Sequence, residues 1–150
     1  MCQCDSLFDK FQWKDITTVD PKKDLPQTRG LYILRVRERG QSVEDVISSV
    51  PELLHEIHWP SLREYIKNRV TRLKQIGNCP VIYVGAGLLR DRFKAWQFCH
   101  TVMYPVWGLL WAGWKIDYGW LKHEKSQEGE KLLKQQYKNI HECLPALVVK

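Results

Sequence analysis

The sequence predicts an α+β domain, and three observations carry that expectation. Three runs, at about 31–36, 80–85 and 109–121, are rich in β-branched and aromatic residues. The segments between and after them repeat apolar residues at helical spacing. A chain of 150 residues that is 44% hydrophobic is one domain long, with enough apolar surface for a real core.

In chain order, residues 1–29 are mixed and polar, with turn signals at Asp20-Pro21 and Leu25-Pro26, and are expected to be a lead-in with little regular structure. The domain proper is expected to span 30–150. Its first strand, Leu31-Tyr32-Ile33-Leu34-Arg35-Val36, is bounded by Gly30 and by the charged turn Arg37-Glu38-Arg39-Gly40. Over 42–58, Val43, Val46, Ile47, Val50, Leu53, Leu54 and Ile57 recur at helical spacing, and Pro51 is expected to divide the segment into two short helices. A further helix is expected from the N-cap Ser61 to Ile76, stopped by Gly77, with Leu62, Tyr65, Ile66, Leu73 and Ile76 inward. Arg63, Lys67, Arg69, Arg72 and Lys74 crowd its other face, as a solvated surface or as a phosphate clamp.

The second strand, 80–85, is expected to stop at Gly85-Ala86-Gly87. A helix follows over 88–98 with Leu89, Phe93 and Trp96 inward. The third strand, within 109–121, alternates around Trp114, Ile116, Tyr118 and Trp120, and the last helix covers 124–140. Five tryptophans lie between Trp96 and Trp120, and core packing is favoured for them over base stacking because aromatics dominate buried area.

Twenty-three Lys and Arg against seventeen Asp and Glu give a net charge of +6, which suits a polyanionic partner. No run approaches the roughly 20 apolar residues of a membrane helix, and Met1 leads into Cys2-Gln3-Cys4-Asp5 rather than into a signal peptide. Cys2, Cys4, Cys79, Cys99 and Cys143 are odd in number and lack CxxC spacing, which signals neither a disulfide framework nor a zinc ribbon and fits a reducing compartment. The expectation is a soluble, cytoplasmic protein without a membrane partner. Cys2-Gln3-Cys4 and His141-Glu142-Cys143 could share a metal, yet terminal thiols of this kind are usually incidental and no structural zinc is expected. His55 and His58, three apart on a helix, permit shared metal binding but have no third ligand in view.

Two of the strands each bear a glycine and a tyrosine, as Gly30-Leu31-Tyr32 and Tyr83-Val84-Gly85, and the helix Leu89-Arg90-Asp91-Arg92-Phe93 follows the second. This order resembles the GIY-YIG nuclease superfamily. There a first motif ends an apolar strand with Tyr, a second opens with Tyr on the neighbouring strand, and the next helix carries Leu-x-x-Arg-Leu. The likeness runs over most of 30–147. It implies a central, mostly antiparallel three-stranded sheet flanked by helices, with the helices at about 42–77 as an insertion between the first and second strands. It also implies an endonuclease that hydrolyses DNA phosphodiesters with one Mg²⁺ or Mn²⁺ per active site.

The resemblance places the functional arginine at Arg92, with Arg90 as runner-up. A single metal-binding Glu on a later helix is implied as well, and Glu128-Gly129-Glu130-Lys131-Leu132-Leu133 offers two candidates. Helical phase favours Glu130, because Leu133 and Tyr137, three and seven positions on, lie on the apolar face. Each residue type suits the implied chemistry. A phenol with a pKa of about 10 is a poor base alone, but beside an arginine it can accept or relay a proton. Arginine forks onto phosphate, and one carboxylate anchors an ion that keeps several waters.

The expected roles are Tyr32 as general base or water-orienting group, Tyr83 as its positioning partner, Arg92 on the scissile phosphate and Glu130 as metal ligand. His100, eight positions after Arg92, is a further proton-transfer candidate or a helix-end surface residue. Arg90, Arg63, Lys67 and Lys74 are expected to grip the phosphate backbone. Three features depart from the family: 51 positions separate the tyrosines, Ala86-Gly87 stands where a Lys is common, and the terminal Pro-x-x-Asn is missing after Pro145. They motivate an alternative, a nucleic-acid-binding module of the same fold with weak or no turnover. Cutting both strands from a one-metal site would favour a dimer or two successive nicks.

Overall fold

In the computed structural model, which describes residues 2–53, 60–75, 79–98 and 103–148, ten regular elements follow one another. They are β1 (Gln12–Asp15), α1 (Pro21–Asp24), β2 (Arg29–Glu38), α2 (Val43–Leu53), α3 (Pro60–Gln75), β3 (Val81–Leu88), α4 (Leu89–Phe98), α5 (Met103–Trp111), β4 (Lys115–Lys122) and α6 (Ser126–His141). Short 3-10 turns lie at Asp5–Phe8 and Ile16–Thr18. The strands make one open antiparallel sheet in the order β1-β4-β2-β3. The α+β class therefore holds, with four strands rather than three.

The fourth strand lies in the supposed lead-in. Gln12–Asp15 has no apolar alternation to announce it; its one large apolar residue is Trp13. What holds it is the open edge of β4, with which it pairs from Gln12 opposite Trp120 to Asp15 opposite Asp117. The Trp13 ring fills the space above Gly119 that a side chain would take, and the Arg35 guanidinium covers it at 3.7 Å. Arg37 closes the same edge, donating to Asp15 at 2.8 Å and to the buried Asp117 at 2.7 Å.

Three boundaries also differ from expectation. Helix α2 runs through Pro51 to Leu53, since a proline in the last turn forfeits only one bond of the ladder. Strand β3 continues through Gly85-Ala86-Gly87 to Leu88, because β2 pairs with it as far as Arg29 opposite Leu88. The first part of the expected third strand belongs to helix α5, and β4 starts only at Lys115, beyond Gly113 with φ +84°. Ile76, Gly77, His55 and His58 lie outside the described residues.

Period-two alternation along β2 sorts the core onto two faces. Tyr32 and Leu34 point to the face covered by α2, α3, α4 and α5, where Val46, Val70, Leu73, Leu89, Phe93 and Leu109 pack. Leu31 and Ile33 point to the opposite face, where α6 supplies Leu133 and Tyr137 and the N-terminal turn supplies Phe8. Ile33 is fully buried. Ile33→Ala is expected to lower the unfolding free energy by about 2–5 kcal/mol in urea titration, the usual cost of a core cavity. Trp114 and Trp120 are buried as expected, whereas Trp107 and Trp111 on α5 are exposed, Trp111 by 79%. No helix among the described residues is long and apolar enough to cross a membrane.

Candidate active site

The antiparallel pairing of β2 with β3 sets Tyr32 opposite Gly85 and Leu34 opposite Tyr83, which brings both tyrosines to one face of the sheet. Their rings stack at 5.9 Å with 27° between planes. On its other side Tyr32 stacks on Tyr118 of β4 at 5.8 Å, and Phe93 of α4 meets Tyr118 edge-on at 4.9 Å. Tyr32 is completely buried in this stack. Tyr118 belongs to the cluster although its alternation in sequence marks it only as strand packing.

Two glycines make the stack possible. A side chain at Gly85 would occupy the position of the Tyr32 ring and hydroxyl. Gly87 has φ +143°, a conformation that L side chains rarely adopt, and a Cβ there would come within 2.8 Å of Arg92 Cγ. Gly87, in the Ala86-Gly87 pair that departs from the family pattern, is thus the floor on which the Arg92 side chain lies, while Ala86 packs on the opposite face. Gly85→Ala is expected to destabilise the fold by about 1–3 kcal/mol through overpacking against Tyr32, seen as a lower denaturation midpoint.

Helix α4 begins directly where β3 ends, its first residue anchored by Leu89, which is fully buried and donates its N–H to the Thr28 carbonyl at 3.0 Å. Arg92 falls in the next turn and turns back over the sheet. Its guanidinium is held more firmly protonated than an ordinary arginine, first by the Tyr32 phenol, including a hydrogen bond to it, then by Tyr83 and Glu130. Its Nε is buried with no hydrogen-bond partner among the described residues. Arg90 does something else: it donates to the Leu25 carbonyl at 2.7 Å and the Lys22 carbonyl at 3.0 Å, closing the C-terminal end of α1.

Burial is the first cause that pushes the Tyr83 phenol well above its ordinary range; Tyr32 and Glu130 add to the rise and Arg92 opposes it. Burial likewise raises Tyr118. Tyr83 therefore keeps its proton at neutral pH and serves as a hydrogen-bond donor. Raised tyrosines stabilise the fold below the unfolded-state value of about 10 and withdraw that support as pH climbs past it. Stability followed by circular dichroism is expected to stay level up to that point, as far as these groups decide it, and to fall above it.

Glu130 reaches the group from α6. It is near enough to act on the charge of both Tyr83 and Arg92, and its side chain is 19% exposed, whereas Glu128 faces solvent. Lys134, one turn on, donates to Glu130 Oε1 at 2.6 Å. Gly129 beside it is buried against the His123 ring, whose Nδ1 is buried without a hydrogen-bond partner among the described residues. Tyr32, Tyr83 and Arg92, from three different elements, thus meet on one face of the sheet, with Glu130 of α6 within electrostatic reach of Tyr83 and Arg92, and His100 lies outside the described residues.

The expected basic grip on α3 is largely committed within the chain. Lys74 pairs with Glu44 of α2, and Arg69 and Arg72 both donate to the Val148 carbonyl, at 3.3 and 2.7 Å. Arg63 has its Nε buried, and Lys67 is half-buried. A groove along α6, lined by Glu130, Lys131, Lys134 and Lys138, instead gathers cations around Glu130. The sequence signal for it was the run of lysines at 131, 134 and 138, three or four apart. No protein-family model, curated protein or solved structure matches the chain.

Proposed function

We propose that this chain is a metal-dependent endonuclease of the GIY-YIG type that hydrolyses phosphodiester bonds in DNA. The observation that carries the proposal is the convergence of Tyr32, Tyr83, Arg92 and Glu130 from β2, β3, α4 and α6. In this reading α2 and α3 are an insertion between the two tyrosine-bearing strands, and the three strands after β1 are the family's sheet.

Glu130 is the residue that would hold Mg²⁺ or Mn²⁺. It offers one half-buried carboxylate, which fits an ion that binds through one or two carboxylates and keeps most of its waters, with Lys134 on Oε1 as the cation that the ion must displace or share with. Such an ion supplies Lewis acidity toward the phosphoryl oxygens when bound. The chain does the rest. Arg92 sets a permanent charge against the phosphate without having to be ordered first, since Gly87 and Tyr32 already fix its stem and head. The Tyr32 hydroxyl, buried beside that charge, holds the guanidinium head and relays a proton from the attacking water by way of the half-buried Tyr83 phenol next to it. Tyr83, held protonated, orients Tyr32. Lys131 and Lys138 steer the backbone along α6.

The ion pair of Glu130 with Lys134 favours a second reading, a DNA-binding module of the same fold that turns over weakly or not at all. A supercoiled-plasmid nicking assay in Mg²⁺ or Mn²⁺ separates the two. Nicking by the wild-type chain that disappears with chelator supports the nuclease; binding without nicking supports the module. In the first case Lys134→Ala is expected to lower the Mg²⁺ concentration for half-maximal nicking by up to about fivefold, matching the ~1 kcal/mol ceiling of such a pair. The double substitution of Lys131 and Lys138 by Ala is expected to weaken binding across sequences and to reduce the salt slope by about 2.

A further inference from the structure

On the opposite face of the sheet from Tyr32, thiols and an imidazole from three separate parts of the chain meet where the N-terminal segment crosses the approach to β3 and the end of α6. Cys2 Sγ lies 3.3 Å from His141 Nε2 and 3.4 Å from Cys4 Sγ, and Cys4 Sγ lies 3.6 Å from Cys79 Sγ. All four ligand atoms fall within 4.8 Å of one another. A tetrahedral zinc ion with Zn–S near 2.3 Å and Zn–N near 2.0 Å sets its ligand atoms about 3.5–3.8 Å apart, because a tetrahedron's edge is about 1.6 times its centre-to-corner distance. Three of the six edges, 3.3, 3.4 and 3.6 Å, lie at or just inside those of such a polyhedron, and the others are within 4.8 Å, so the four atoms surround a space of the size the ion takes.

Neither a disulfide nor apolar packing accounts for this geometry. A disulfide needs sulfurs about 2 Å apart, and Cys2, Cys4 and Cys79 are all free. Buried thiols can pack as small hydrophobes, and Cys4 and Cys79 are buried, but that does not explain an imidazole nitrogen aimed at a thiol sulfur. The surroundings also resemble a metal site's outer shell. The Tyr137 hydroxyl donates to Cys79 Sγ at 3.2 Å, and its ring packs against the His141 ring at 4.4 Å, fixing both ligands from α6 itself.

We propose that Cys2, Cys4, Cys79 and His141 form a structural zinc site of the Cys3His type. Thiolate ligands suit Zn²⁺ and not Mg²⁺, and four protein ligands leave no open position, so the site is distinct from Glu130 and serves stability. It departs from the sequence expectation of no structural zinc. The pairing considered there, with Cys143, differs in one ligand: Glu142, in the left-handed conformation with φ +62°, ends α6 immediately after His141, and Cys79 takes the fourth place. The ion ties the N-terminal segment to β3, which carries Tyr83, and to α6, which carries Glu130. It thereby keeps the two halves of the tyrosine-glutamate cluster in register.

The test uses the full chain, purified without chelator from zinc-supplemented medium with any affinity tag at the C-terminus. Elemental analysis and native mass spectrometry are expected to find about one zinc ion per chain. Replacement by Co²⁺ is expected to give thiolate-to-cobalt charge-transfer absorption with the d–d bands of a tetrahedral site. Cys79→Ser and His141→Ala are expected to lose the ion, while His141→Cys, which completes a four-thiolate set, is expected to keep it. If the variants fail to fold, the wild-type zinc content and cobalt spectrum decide alone. A folded wild-type chain that contains no zinc and gives no tetrahedral cobalt spectrum would overturn the proposal. So would zinc that stays at full occupancy in folded Cys79→Ser and His141→Ala.

Discussion

Arg92→Ala is expected to reduce Mg²⁺-dependent plasmid nicking by about 10²–10³-fold, the usual cost of removing one preorganised group from the developing charge of a transition state. The side chain is half-buried over Gly87 with its head on Tyr32, so its loss removes a charge already in place rather than one that must be recruited. Arg92→Lys is expected to restore little, because an ammonium cannot fork onto a phosphate and does not match the planar head packed beside Tyr32. Arg90→Ala gives the contrast. Its donors go to the Leu25 and Lys22 carbonyls, so it is expected to shift the melting temperature while leaving the nicking rate per folded molecule near wild type. Single-turnover rates set beside thermal melts check both.

Glu130→Gln is expected to cost a similar factor of about 10² or more, in the metal dependence above all. Gln keeps the shape and an oxygen for Lys134 but removes the charge that attracts a divalent ion. Nicking should then fall at every Mg²⁺ concentration, or recover in part only at high concentration, while DNA binding in the absence of metal is unchanged or tighter. Glu128→Gln, on the solvent side of the same helix, is expected to change neither. A rate for Glu130→Gln equal to wild type across a Mg²⁺ titration would remove Glu130 from the metal site.

Much of this arrangement was legible in sequence because it rests on short-range patterns. Gly30-Leu31-Tyr32 and Tyr83-Val84-Gly85 lie in β-rich runs, and once these pair, strand alternation in the observed register brings the two tyrosines to one face. Helical phase separated the half-buried Glu130 from the exposed Glu128 on α6. What stayed hidden depends on long-range partners. Strand β1 exists because β4 offers an edge and Arg35 and Arg37 close over it, none of which Gln12–Asp15 encodes locally. Helix α5 was merged into a strand because its residues are apolar nearly all round and carry little periodicity of either kind. The use of Gly87 as a floor for Arg92 follows only from the turn of α4 back over the sheet. Cys79 joins Cys2, Cys4 and His141 only once both ends of the chain meet beside β3.

The central claim is that Tyr32, Tyr83, Arg92 and Glu130 act as one metal-dependent site, and non-additivity tests it most directly. Single-turnover cleavage of a labelled duplex would be measured for the wild-type chain, for Tyr32→Phe, Arg92→Ala and Glu130→Gln, and for the double variant of Arg92 and Glu130, each verified as folded. Residues that act as a unit lose most of their effect together, so the double variant is expected to be about as slow as the slower single variant, with Tyr32→Phe also well below wild type. Wild-type chelator-sensitive cleavage that survives undiminished in all of these folded variants would contradict the site.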